Sequence, residues 1–117
     1  MSVDRGWIFR DCVNSAALVD PNLGSLFLGF VRDAGFTVHA TTSKKFEGAG
    51  GVTACVIIGE SSVDIHTWPE TGTAHIRLFY CDFSEQNDEK AKRFLVRISE
   101  HFQPTKIDEV TRREFPI

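Results

Sequence analysis

Residues 52–81 read VTACVIIGESSVDIHTWPETGTAHIRLFYC. The last nine, Thr73–Cys81, alternate in character. Ala74, Ile76, Leu78 and Tyr80 fall on one face of an extended chain, and His75, Arg77, Phe79 and Cys81 on the other. Just ahead, Pro69-Glu70-Thr71-Gly72 is a turn signal that follows a short strand through Val63, Ile65 and Thr67 to Trp68. Val52 to Gly59 is nearly continuous apolar, which predicts a strand covered on both faces.

The flanking sequence supplies helices and further strands. Gly6 to Val13 (GWIFRDCV) is dense in aromatic and β-branched residues and predicts a first strand. Asp20-Pro21 has the form of an N-cap followed by proline at the first helical position. Leu23, Leu26, Phe27, Phe30 and Val31 then recur at helical spacing until Gly35. Phe36 to Thr42 (FTVHATT) alternates like a half-buried strand, and Lys44 to Gly51 (KKFEGAGG) is rich in breakers. Ser84 predicts a second N-cap, with Glu85 in the first turn. Ala91, Phe94, Leu95, Ile98 and Phe102 form the apolar stripe of a helix that ends before Pro104. Lys106 to Phe115 predicts a last strand.

The predicted order is β-α-β-β-β-β-α-β, an α+β two-layer sandwich of a mostly antiparallel sheet with two helices. One sheet face is left without helical cover, and a homodimer or higher even oligomer is the economical way to cover it.

Composition agrees with one domain spanning residues 1–117. The chain is 42% apolar and 11% aromatic with a net charge of −3, enough apolar material for a core without staples. The absence of a basic stripe argues against nucleic acid and anionic membranes as partners. No apolar run reaches membrane-span length and the N-terminus carries no signal pattern, so a cytoplasmic protein is expected. Cys12, Cys55 and Cys81 suggest neither a disulfide framework nor a thiol zinc site. The four histidines, at 39, 66, 75 and 101, lack close ligand spacing, so no metal is expected.

Gly59 to Glu70 (GESSVDIHTWPE) packs two serines, an imidazole, an indole and three carboxylates into one strand and its exit. On residue chemistry alone, a His beside a Trp at a strand end is more often packing than a site. The whole pattern says more. Glu60-Ser61 after an apolar strand, then His66-Thr67-Trp68-Pro69-Glu70, and Cys81 twenty positions after Ser61 in the context LFYC, resembles the bacterial and archaeal S-adenosylmethionine decarboxylase proenzymes.

That resemblance implies a self-processing, pyruvoyl-dependent decarboxylase serving spermidine biosynthesis. Ser61 would attack the carbonyl of Glu60, shifting amide to ester. Elimination and hydrolysis would then leave pieces 1–60 and 61–117, the second beginning with a pyruvoyl group made from Ser61. His66 is implied as the partner of the serine and Thr53 as a hydroxyl assisting the cut, since a resting hydroxyl is a poor nucleophile. His66 lies five residues from Ser61, on the opposite face of an unbroken strand, so a turn or bulge must intervene or the imidazole must act across the chain fold.

The pyruvoyl group would hold a small amino-acid-type substrate as a Schiff base and act as electron sink, and Cys81 would return the proton. Phe46 and Trp68 are implied as stacking residues and Glu70 as a hydrogen-bond acceptor for substrate. Ser62 stands where the family usually has His, and Arg5 to Asp11 replaces its usual N-terminal motif. The same machinery acting on L-ornithine or L-arginine is therefore the alternative substrate reading, with a non-processing regulatory homologue behind it.

Overall fold

The computed structural model describes residues 1–81 and 86–116. Its elements are β1 (Ser2–Arg10), α1 (Leu23–Asp33), β2 (Ala40–Lys45), β3 (Val52–Ile58), β4 (Ser61–Trp68), β5 (Thr73–Cys81), α2 (Gln86–Phe102) and β6 (Lys106–Phe115). Two short 3-10 turns, Ser15–Val19 and Pro69–Thr71, complete it. The sheet runs β2-β3-β4-β5-β1-β6, and every neighbouring pair is antiparallel. The expected order and two-layer architecture are both present.

One face of the sheet carries the core. Val52, Ala54, Val56 and Ile58 on β3, Val63 and Ile65 on β4, the even residues 74–80 of β5, and Val3, Trp7 and Phe9 on β1 are all buried. Leu23, Phe27 and Val31 of α1 and Ala91, Phe94, Ile98 and Phe102 of α2 close over them. Edge-to-face ring pairs join α1 to α2 through Phe27 and Phe94 at 5.7 Å, and α2 to the sheet through Phe102 and Phe9 at 6.4 Å. Ser2 and Thr67 are the buried polar residues among those described, and Thr67 lies in this core. Its Oγ1 accepts from the Val52 N–H at 2.8 Å and donates to the Leu18 carbonyl at 2.7 Å, joining β3, β4 and the first 3-10 turn. Gly51 passes so close to β4 that a Cβ there would meet the Thr67 carbonyl oxygen at 2.6 Å.

Several expectations are corrected. The first strand begins at Ser2 and ends at Arg10, because polar Ser2–Arg5 are recruited by backbone pairing to β5 and β6 on either side. Pro21 precedes the first helix, which starts at Leu23. The Asp20 carboxylate accepts the Asn22 N–H at 2.8 Å in the turn before it. The strand expected over Phe36 to Thr42 begins only at Ala40, and residues 36–39 lie outside it. The strand is Ala40–Lys45, exposed throughout, an edge held by its ladder to β3 and protected by Lys44 and Lys45. β3 is covered on one face only within the chain, and Ile57 is 46% exposed. β4 starts at Ser61, two residues before Val63. Ser84 and Glu85 lie outside the described residues. No helix among the described residues is long and apolar enough to cross a membrane.

Candidate active site

Ser61 is the first residue of β4 and pairs with Ile58, so Gly59 and Glu60 form a two-residue hairpin turn. Gly59 has φ +65°, left-handed backbone that glycine adopts without strain, at the first loop position of such turns. The Glu60–Ser61 peptide thus lies at a tight, exposed bend. Ser61 is half-buried, and its Oγ accepts the Cys81 backbone N–H at 3.2 Å. It lines a cavity of about 140 Å³ with Phe36, His39, Tyr80 and Lys90. The Tyr80 phenol donates to Asp88 at 2.5 Å. Burial, and then that carboxylate, push its pKa up to about 12 against the opposing pull of Arg5. It remains a protonated donor near neutrality and is no base for Ser61.

Cys81 offers Ser61 its amide, not its thiol. Register puts the thiol on the uncovered face beside Ser2, with Ser2 Oγ 3.6 Å from Sγ. Burial raises the Cys12 and Cys55 thiols, reinforced by Asp11 and Asp64 respectively, which disfavours the thiolate at both.

The second group of candidates lies further along β4 on the uncovered face. Thr53 faces His66 across the β3–β4 ladder, with Oγ1 3.2 Å from Nδ1. Asp64, two residues back on the same face, places Oδ1 3.5 Å from His66 Nε2. The His75 ring is 6.5 Å away and the Trp68 ring 6.1 Å. Burial lowers the pKa of His75, and neighbouring His66 and Arg77 add to that, so it stays neutral at pH 7. Trp68 is 43% exposed at the end of β4, and Glu70 is exposed in the following 3-10 turn. Phe46, 51% exposed, closes the β2–β3 connection through its N–H to the Gly51 carbonyl at 2.8 Å.

The candidates therefore form two sets. Glu60, Ser61 and Cys81 are at one end of the sheet, and Thr53, His66, Trp68, Glu70 and Phe46 at the other. β4 pairs with both neighbours without a register shift, so the bulge that would bring His66 to Ser61 is absent. Five residues of strand separate the two by about 16 Å. Sequence reasoning missed Ser2, because only the β1–β5 register brings it to Cys81. It also missed Asp64 and Thr67, although Asp64 carried a signal as a carboxylate two positions from His66, sharing its face.

This two-layer sandwich with its Glu-Ser hairpin is the decarboxylase-type α+β fold. The chain superposes on the solved adenosylmethionine decarboxylase of Aquifex aeolicus with a TM-score of 0.84, covering 100% of this chain and 92% of that one at 23% identity. The chain belongs to the S-adenosylmethionine decarboxylase family, whose model matches residues 9–113. The S-adenosylmethionine decarboxylase proenzyme of Methanococcus maripaludis is 34% identical over 70 residues, 60% of this chain and 57% of that protein. That of Archaeoglobus fulgidus is 43% identical over 54 residues, 46% of this chain and 45% of its own length. The chain thus spans about half the length of the curated relatives it matches.

Proposed function

We propose that this protein cuts its own Glu60–Ser61 peptide and, once processed, removes the α-carboxylate of S-adenosylmethionine. The observation that carries the reading is the Glu60–Ser61 peptide at a two-residue hairpin, with the serine oxygen held by the Cys81 amide. An N–H aimed at Oγ orients it and stabilises negative charge as the hydroxyl loses its proton. Attack on the Glu60 carbonyl exchanges the amide for an ester. Elimination releases the Glu60 carboxylate, and hydrolysis with loss of ammonia leaves a pyruvoyl group at residue 61.

The residues present fit such a group. The ladders of β4 to β3 and β5 hold residues 61 and 62 without the turn, and the half-buried position limits access of water. When formed, the group supplies an electron sink for carboxylate loss. Cys81 is the proton donor in this reading, its thiol steadied by Ser2.

The assembly that fits is a homodimer. Among the described residues no helix covers the face bearing Cys55, Ile57, His66, Trp68 and Phe79, and a second copy would cover it. A two-fold axis in the plane of the interface and perpendicular to the strands lays the His66 end of one protomer over the Ser61 end of its partner. Thr53 and His66 then assist the partner's cleavage, while Trp68, Phe46 and Glu70 line its substrate pocket. The reading places the protein in the cytoplasm, with a small amino-acid-type substrate as its ligand.

Intact mass and a denaturing gel test the first step: the expected products are chains 1–60 and 61–117, the second blocked at its N-terminus. Carbon dioxide release is then measured from S-adenosylmethionine, L-ornithine and L-arginine, and the first is expected to dominate. An active protein that stays one chain with Ser61 intact overturns the mechanism. Release from ornithine or arginine alone overturns the substrate.

A further inference from the structure

We infer that Asp64 is a positioning residue: it holds the His66 imidazole in the tautomer with its proton on Nε2, so that Nδ1 accepts the Thr53 hydroxyl. The inference rests on the reading that His66 and Thr53 serve chain cleavage, but its geometry stands apart from that reading. Asp64 Oδ1 is buried and has no hydrogen bond among the described residues; it lies 3.5 Å from His66 Nε2. A carboxylate oxygen buried without a donor is costly, and a proton on Nε2 relieves that cost.

The other groups facing Asp64 do not compete. Cys55, opposite it on β3, is a thiol whose pKa burial has raised, with Asp64 adding to the effect. Arg77, opposite it on β5, directs Nη2 to Asp4 Oδ2 at 3.6 Å.

A neutral imidazole has one donor and one acceptor nitrogen. With the proton on Nε2, the ring donates toward Asp64, and its Nδ1 lone pair meets Thr53 Oγ1 at 3.2 Å, ready to accept. The opposite tautomer would set the Nε2 lone pair against the carboxylate. One arrangement satisfies both contacts. It fixes the direction of the Thr53 hydroxyl proton, leaving that oxygen's lone pairs free for a second partner. The second-layer carboxylate of other functional histidines acts in the same way. His75 at 6.5 Å and Lys44, paired with Thr53 on β2, are the further titratable groups around the ring.

The test reads the ring directly. Full-length Ser61→Ala, which stays one chain, is labelled with nitrogen-15 in its histidines and examined at alkaline pH, raised until the ring signals are those of the neutral form. His66 is assigned by the signal lost in His66→Gln. The expected spectrum has the proton-bearing nitrogen at Nε2. Asp64→Ala should convert it to a mixture or to the Nδ1 form, and Asp64→Glu should restore it. A proton on Nδ1 in the unaltered site overturns the inference even if Asp64→Ala fails to fold, as does a pattern indifferent to Asp64→Ala. In the Ser61-intact protein the half-time of self-cleavage should lengthen at least about tenfold in Asp64→Ala and recover in Asp64→Glu, the usual scale for a lost histidine partner. An unchanged half-time there overturns the positioning role. A protein that never cuts itself would instead sink the proposed function, and the spectrum would still decide on Asp64.

Discussion

Mixing two inactive variants tests whether each site draws on two chains. Along β4, Ser61 and His66 are five residues apart, about 16 Å at roughly 3.3 Å per residue, and the odd spacing turns them to opposite faces. Proton transfer needs heavy atoms about 3 Å apart, or one water between them. No rotamer of an imidazole closes that gap within a chain whose β4 ladder is unbroken on both sides. Ser61→Ala lacks the nucleophile and His66→Ala the imidazole, so neither should cut itself at a useful rate. Co-expressed in equal amounts with tags of different mass, they should complement. Random pairing makes half of the dimers mixed, and each mixed dimer lays one intact imidazole over the sheet end whose hairpin carries one intact serine, approached around the start of β4. About half of the His66→Ala chains, and so about a quarter of all chains, should appear cleaved by intact mass after denaturation. The Ser61→Ala chains should all stay whole. A co-expressed sample with no cleaved chains, or a His66→Ala protein that cuts itself alone at the wild-type rate, would refute the shared-site reasoning.

Cys81→Ala should still self-cleave, because the chain's amide and not its thiol contacts Ser61 Oγ, but should lose most decarboxylation. Wild-type carbon dioxide release from the cleaved variant would reduce Cys81 to packing. Thr67→Val keeps the side-chain shape but strands the Val52 N–H and the Leu18 carbonyl in the core. At about 1–3 kcal/mol for each of the two buried groups left unpaired, the loss should be about 2–6 kcal/mol in urea unfolding of the uncut Ser61→Ala chain. Thr67→Ser should recover most of it, and a loss below about 0.5 kcal/mol would mean that water replaces both bonds.

Side-chain pattern was informative wherever a segment buries one face. Thr73–Cys81 alternates in sequence and alternates in burial, so its bounds and both faces could be read directly. The apolar stripe of α2 meets Phe9 and Phe27 as its spacing implied. β2 failed for the complementary reason: an edge strand held by its backbone and exposed on every residue leaves no periodic trace. The extra residues at the start of β1 are similar, since Ser2 and Asp4 are placed by partners on both sides and not by hydrophobicity. In the site, residue types and local spacing were legible. Which end of the sheet each residue occupies was not, because that depends on register between segments far apart in sequence. Ser2 beside Cys81 is the clearest case, at a separation of 79 residues. The opposed faces of Ser61 and His66 were implied by their odd spacing, and β4 preserves that opposition instead of relieving it with a bulge.

The topology also explains why a cut at Glu60–Ser61 is compatible with the fold. The first piece would carry β1, α1, β2 and β3, and the second β4, β5, α2 and β6. These do not form separate halves. β1 is inserted between β5 and β6 of the other piece, while β3 remains laddered to β4. Phe9 and Trp7 of the first piece are buried in the same core as Phe94 and Phe102 of the second. Separating the pieces would strip a central strand of both neighbours and open the core. The broken bond itself releases only a two-residue turn at the surface. A meander that places the Glu60–Ser61 peptide at such a turn, with Ser61 paired to Ile58 on β3, its Oγ held by the Cys81 amide of β5, and Ser62 paired on both sides, would let a terminus form there while the sheet holds it in place.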